Sequence, residues 1–489
     1  MIKATRAHAP PGEAIPHALP PAAVLAALIT TGAAMAWFCY WGRDLHRFIQ
    51  WVAAYVGLFV GQLAMYALAC YAVTRGRANR SRAVTISILG AILLFAVAFR
   101  VTLARERPYL SSDIYRYIWD GRVQSAGINP YQYPPGTEEL RSLEDEKIYR
   151  NINPDDLKWL SPYPPVAQAI FFTVYSIRPS SFIAFKLAMS LFDIITILAL
   201  MLALARSGID PARAIIFAWH PLPIYEGAHS GHIEPAYIAF LALALLSWAH
   251  KKHALTGATL ALATLVKFYP ALLLPVFLVV KPAGSIEAFQ EKNAGLKNRL
   301  RLSRIGGLFN KANLSMLVAF AATILLAYLP YMSAGKNMFG FLRGYIEEEG
   351  FVETGARYYL LVVARGLIPL PTTVYLIAAL TALGACAAWW AITEKRDAAD
   401  VARGAGLLIW LYLILTTPRY SWYYTWLIPY LCFVPRMGWL YLASASVLLY
   451  LLWYTPLVYP DIPVWLGAVI YLPAIAWLVW ERVRARDEE

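Results

Sequence analysis

The sequence predicts an all-helical protein that threads a membrane many times and carries a large loop outside it. Three observations support this. The chain is 59% hydrophobic and only 15% charged, with mean hydropathy +0.51, whereas soluble domains are nearer half apolar and a quarter charged. Its apolar residues come in runs, many near the roughly 20 residues needed to cross a bilayer. Its 43 Lys and Arg residues fall in short blocks between those runs, a pattern that suits membrane topology better than a nucleic-acid groove.

Taken in order, apolar runs lie near 20–41, 49–73, 83–103, 181–205, 212–227, 233–249, 254–267, 268–280, 314–332, 371–393, 403–417, 421–434, 438–455 and 463–480. Several are too short to cross alone, so the expectation is about 11–14 transmembrane or half-membrane helices. The first run, which follows Lys3 and Arg6, is too long for a signal-peptide core and reads as an uncleaved helix. The block 254–280, broken by "KFYP", reads as two half-length helices dipping in and out, an irregularity tolerated only where protein or a cavity surrounds it. Cys39, Cys70, Cys386 and Cys432 all fall inside apolar runs and read as small core residues. No C-x-x-C or other zinc spacing occurs, and neither a fixed repeat nor mirrored halves are visible.

Orientation follows the positive charges. With the N-terminus inside, "RGRANRSR" (75–82), "HKKH" (250–253), the basic loop 281–313 and the tail "ERVRARDEE" are cytoplasmic. The segments 104–163 and 333–358, which mix both signs, are external. Both termini are then cytoplasmic.

The first external segment carries the densest chemistry. "SSDIYRYIWDGRV" suits a short helix capped by Ser111 or Ser112, with Asp113, Tyr117 and Asp120 on one face and Arg116 beside them. "GRVQSAGINPY" stops it, and "SPYPP" with 166–178 suggests a second helix at the membrane surface. In a random loop this would be a solvated helix with ordinary ion pairs. Here a carboxylate on a first helical turn, among aromatics and close to lipid, is placed to act as a general base.

These residues, with "WHPLPIYEGAHSGHIE" (219–234), "LVKFYPALLLP" (265–275) and "TTPRYSWYYTWLIPYL" (416–431), resemble the GT-C superfamily of polytopic glycosyltransferases. Within it they look most like glycosyltransferase family 87, which includes polyprenyl-phosphate-mannose-dependent mannosyltransferases. The four segments span residues 109–431. The resemblance implies a GT-C-type helical bundle and transfer of a hexose, mannose first, from a polyprenyl phosphate to an acceptor hydroxyl on the outer face, with inversion. The basic cytoplasmic loops fit a bacterial inner membrane. In this superfamily the catalytic loop usually follows the first span, whereas here it follows the third. Residues 1–80 therefore read as a two-helix addition to a catalytic unit at 81–489. That unit comprises the catalytic loop 104–178, the basic loop 281–313 and a second external loop, 333–370.

By this resemblance Asp113 is the base, and Arg116, Tyr117 and Asp120 accompany it, Asp120 either orienting the acceptor or pairing with Arg116 or Arg122. His232 and Glu234 belong to the donor or acceptor pocket. His229 and His232, three apart beside Glu226 and Glu234, also have a spacing that zinc could use, against the plainer reading of a turn satisfied by its own hydrogen bonds. Lys267 is the only charge between Ala254 and Val280; it either binds phosphate or snorkels to the interface. Arg419 could grip phosphate beside Tyr420, with the following aromatics forming either a sugar platform or an interfacial belt. Arg100 is either another phosphate contact or a snorkelling helix end. The acidic stretch 347–359 is either a lid or a solvated turn. No metal ligand is assigned and no cofactor is required, a divalent cation being left open. The partners implied are the lipid donor, a lipid or glycan acceptor and membrane lipid. The rival readings are a flippase or transporter, which would call for repeated halves, and an O-antigen-ligase or polymerase-like enzyme, which usually relies on several external arginines.

Overall fold

The computed structural model describes residues 18–47, 50–76, 80–280, 304–339, 358–454 and 461–487. Residues 1–17, most of the 281–313 loop and most of the 347–359 stretch lie outside the described residues. Within them the fold is all-helical, with a single isolated bridge between Leu19 and Gly76 and no strand. The longer helices are α1 (Pro21–Gly42), α2 (Trp51–Thr74), α3 (Arg82–Ala104), α4 (Asp113–Ser125), α5 (Pro165–Ile177), α6 (Phe182–Arg206), α7 (Glu234–Ala249) and α8 (His253–Thr264). They continue with α9 (Lys311–Tyr328), α10 (Thr372–Ala391), α11 (Ala398–Thr416), α12 (Met437–Ala445) and α13 (Val464–Asp487). Eight helical segments, built on α1, α2, α3, α6, α9, α10, α11 and α13, are long and apolar enough to cross a membrane, and three shorter apolar helices accompany them. The chain is an integral membrane protein.

Local rules account for the helix starts. Prolines occupy the first turns of α1, α5 and α7, where the missing amide costs nothing. Ser81 caps α3, Ser181 caps α6 and Asp397 caps α11, each side chain accepting from a first-turn amide. The outward faces are apolar, with Leu94 on α3, Leu191 and Leu202 on α6, and Leu325 and Leu326 on α9 all exposed. Such faces are unfavourable in water and natural in lipid. α9 reaches the bundle by close approach: a Cβ on Gly257 of α8 would lie 1.9 Å from the Met316 carbonyl oxygen.

The run at 212–227 is not one helix. It forms a 3₁₀ turn (Pro211–Ala214), two short α turns (Ile215–Ala218 and Pro221–Pro223) and a π turn (Ile224–His229). Pro221 and Pro223 remove the amides a continuous helix would need, and neighbouring side chains satisfy the freed groups. Arg100 donates to the Ala218 carbonyl at 3.0 Å and Tyr66 to the Ile216 carbonyl at 3.0 Å, while the Trp219 indole reaches outward to the Ile92 carbonyl of α3 at 3.0 Å. Arg100 is thus neither a phosphate contact nor a snorkelling end: it is buried, and its Nε lies 2.8 Å from Asp193 of α6.

The break at "KFYP" is present. α8 ends at Thr264, and a 3₁₀ turn (Tyr269–Leu273) leads into the short helix Leu274–Phe277. The carbonyl of Leu265 accepts from the amides of Val166 and Ala167, at 3.0 and 3.2 Å. The first turn of α5 therefore satisfies irregular backbone that lipid could not. Side chains also close the far end of this segment: Trp248, Lys395 and Asn313 donate to the carbonyls of Phe277, Leu278 and Val279.

The fold has two ends. α4, α5, the π turn, the break after α8, the segment 417–424 and residue 450 meet at one end, through contacts among Asp113, His232, Glu226, Ser421 and Tyr450. At the other lie the Arg80–Asp210 and Arg436–Glu481 pairs.

Candidate active site

Asp113 is the first residue of α4. Ser111 serves it, its hydroxyl lying 3.1 Å from Oδ1 and accepting from the Asp113 amide at 3.2 Å. Tyr117, one turn on, donates to Oδ2 at 3.4 Å. The Tyr117 ring stacks on Phe171 of α5 at 4.7 Å and meets Tyr163 edge-on. The Asp113 side chain keeps 29% of its surface exposed, while its Oδ2 lies 3.8 Å from Nε2 of the fully buried His232.

Asp120 looks into protein. Its Oδ1 accepts from Arg116 Nε at 2.9 Å, and its Oδ2 accepts from Ser161 at 2.5 Å and from Gln168 at 2.8 Å. Arg116 also donates to the carbonyls of Asp156 and Trp159. Arg122 pairs instead with Asp145 at 2.6 Å. Asp156 is pushed up to about 6, because burial outweighs the pull of Arg116, and Asp113 and Asp120 add repulsion.

The π turn delivers Glu226 and the loop after it delivers His232. Gly231 between them has φ +76, a backbone conformation that favours glycine, and a Cβ there would meet the Cδ1 end of Ile114 of α4 at 2.6 Å. His232 Nδ1 lies 3.0 Å from Glu226 Oε2. Glu226 Oε1 accepts from Ser421 at 2.7 Å and from Tyr450 at 3.0 Å. Burial alone would lower the pKa of His232, but the Glu226 hydrogen bond and the charges of Asp113, Glu226 and Glu234 outweigh it and hold it above the ordinary imidazole range. His229 turns elsewhere, its ring 4.2 Å from Tyr109. Among the described residues no group of three or more His, Cys, Asp or Glu is gathered in a metal-ligating arrangement.

Glu234 opens α7 and pairs with Lys267 at the break after α8. Glu234 is buried, Lys267 keeps 13% of its side-chain surface exposed, and its ammonium lies 4.8 Å from the Tyr423 ring. Arg419 approaches Asp461 at 3.5 Å. Tyr420 and Trp422 stack in parallel at 4.4 Å, and Trp422 covers the His232 ring at 4.1 Å. Asp113, Tyr117 and His232 are linked by direct contacts, and the rings of Trp422 and Tyr423 connect them to Tyr420 and to the Glu234–Lys267 pair, with Arg419 adjoining Tyr420. Arg116 and Asp120 form a separate cluster on the same helix.

Sequence reasoning passed over Ser421, Tyr450, Ser161 and Gln168, and it read Trp422 only as one of the aromatics after Tyr420. Ser421 had a faint signal as a polar residue among the aromatics of "RYSWYY". Tyr450 had none, since it lies in an apolar run.

No curated protein matches the chain significantly. A family model described as the N-terminal domain of alpha-(1->6)-mannopyranosyltransferase matches residues 21–283. The match takes in α1 and α2 and extends over Asp113, His232, Glu234 and Lys267, covering more than half of the 489 residues. The chain belongs to the MptA/B family of mannosyltransferases.

Proposed function

We propose that this mannosyltransferase takes mannose from a polyprenyl-phosphate donor, as in glycosyltransferase family 87, and transfers it with inversion on the outer face of the membrane. The family's description points to the primary 6-hydroxyl of a mannosyl acceptor. The single observation that carries the reading is Asp113: a partly open carboxylate on a first helical turn, 3.8 Å from a buried histidine whose ring is covered by Trp422.

In this reading the acceptor hydroxyl attacks the anomeric carbon while Asp113 takes its proton. The bond between that carbon and the phosphate oxygen breaks, and the polyprenyl phosphate leaves with the electron pair. Lys267 and Arg419 face the leaving phosphate as cations, exchanging part of their contact with Glu234 and Asp461. Among the described residues Glu234 Oε2 is buried without a hydrogen-bond partner, as suits an acceptor for a sugar hydroxyl. The Tyr420–Trp422 stack forms one wall. Arg116 and Asp120 serve by fixing the loop. Placing the site end outside puts Arg80, Arg82, Arg213, Lys251, Lys252 and Arg436 at the cytoplasmic end, as the distribution of positive charge favours.

The test is transfer of label from polyprenyl-phosphate mannose to a mannoside acceptor by the purified protein. Asp113→Asn should lower turnover by about 10²- to 10⁴-fold while the protein remains folded, and a 6-deoxy acceptor should give no product. Equal turnover in the variant would remove Asp113 from the mechanism.

A further inference from the structure

Asp113 does not hold His232 in place; the groups that do so lie on the other side of the ring. Glu226 is 1% exposed, and a buried carboxylate is costly unless donors surround it. Three do: Ser421, Tyr450 and His232 Nδ1. We propose that Glu226 is a positioning residue for sugar transfer, its carboxylate gripped by Ser421 and Tyr450 and fixing the His232 imidazole so that Nε2 faces Asp113. This rests on the reading of Asp113 as the base.

The hydrogen bonds have one consistent arrangement. Both hydroxyls donate to the carboxylate, so Nδ1 must bring its own proton to make the third bond. That holds the Nδ1 proton from behind, whichever charge the ring carries, and leaves Nε2 as the nitrogen facing Asp113, buried and without a hydrogen-bond partner among the described residues. Trp422 lies over the ring. The 3.8 Å gap between Nε2 and Asp113 Oδ2 is too long for a direct hydrogen bond. It is short enough for one substrate oxygen to touch both atoms, at about 2.8 Å each.

The carboxylate sits on a π turn, a form whose extra residue re-aims side chains and recurs at functional sites. Two of the three donors, Ser421 and Tyr450, come from beyond the matched region 21–283. The site is therefore completed by the C-terminal half of the chain.

The experiment is a kinetic cycle on the full-length protein in detergent, with a synthetic farnesyl-phosphate mannose donor and an octyl mannoside acceptor. Glu226→Gln should lower kcat by about 10- to 100-fold with KM changed by less than about threefold. The double variant Glu226→Gln/His232→Gln should be no slower than His232→Gln alone, because Glu226 acts through that ring. Glu226→Asp should recover part of the loss. Multiplying losses in the double variant, or an unchanged kcat in Glu226→Gln, would overturn the proposal. Should Glu226→Gln fail to fold, Tyr450→Phe paired with His232→Gln supplies the same cycle. Asp113→Asn, measured alongside, keeps the two readings apart. Full activity there removes the base, whereas the Glu226–His232 coupling is read from its own cycle.

Discussion

Asp120 and Asp113 are seven residues apart on one helix and live in opposite surroundings. Asp120 is 2% exposed, with both oxygens engaged, and it neutralises a buried Arg116. Removing one partner of such a pair strands the other. Asp120→Ala should therefore cost about 3–5 kcal/mol of stability, measured by denaturant unfolding in detergent, while Asp113→Asn should cost less than about 1 kcal/mol. Asp156 tests the same loop through pH. Its carboxyl is raised to about 6 in the folded chain, against about 3.9 unfolded. The folded state thus binds its proton more tightly: below the unfolded value the group costs nothing, and as pH rises through 6 the full penalty appears. Asp156→Asn should accordingly stabilise the protein at pH 7.5 by up to about 3 kcal/mol and do little at pH 3.5. Equal effects at both pH values would contradict this.

At the scale of elements, the bundle tolerates broken helices because other elements complete their hydrogen bonds. The first turn of α5 covers the carbonyl freed at Leu265, and Arg100 covers that of Ala218. These breaks let the Glu226 π turn and Lys267 approach the same end of the fold. Where helices are regular, close approach decides. Gly257→Val would push a side chain against the backbone of α9 and should cost about 2 kcal/mol or more, seen as a lower unfolding midpoint. Gly384, on α10, has open space around its Cβ position, and Gly384→Ala should be neutral or stabilising by up to about 1 kcal/mol. If the two behaved alike, helix propensity rather than the α8–α9 contact would govern.

The whole molecule presents one end rich in acids, aromatics and broken backbone and another rich in Lys and Arg. The proposed outward orientation of the site end makes a direct prediction for cysteine labelling in intact cells. Arg141→Cys, on an exposed turn of the catalytic loop, should react with a membrane-impermeant maleimide, and Lys252→Cys, between α7 and α8, should react only after the cells are opened. The reverse pattern would invert the topology and move the donor to the cytoplasmic leaflet.

The sequence by itself determined the class. Long apolar runs of about 20 residues with few charges span lipid as helices, since a lipid-facing backbone must satisfy its own hydrogen bonds. The same periodicity and punctuation placed α4 at Asp113, the break at "KFYP" and most helix starts within a few residues. Asp113, His232, Glu234 and Lys267 stood out because polar groups among apolar neighbours are expensive and visible. Only the tertiary structure decided who meets whom. Arg100 found Asp193 across 93 residues, Glu226 found Tyr450 across 224, and the run 212–227 gave up helical regularity for side-chain partners on α2 and α3. Such pairings depend on the packing of whole helices. A tyrosine such as Tyr450 inside an apolar run looks like any other core residue until the fold brings a carboxylate to its hydroxyl.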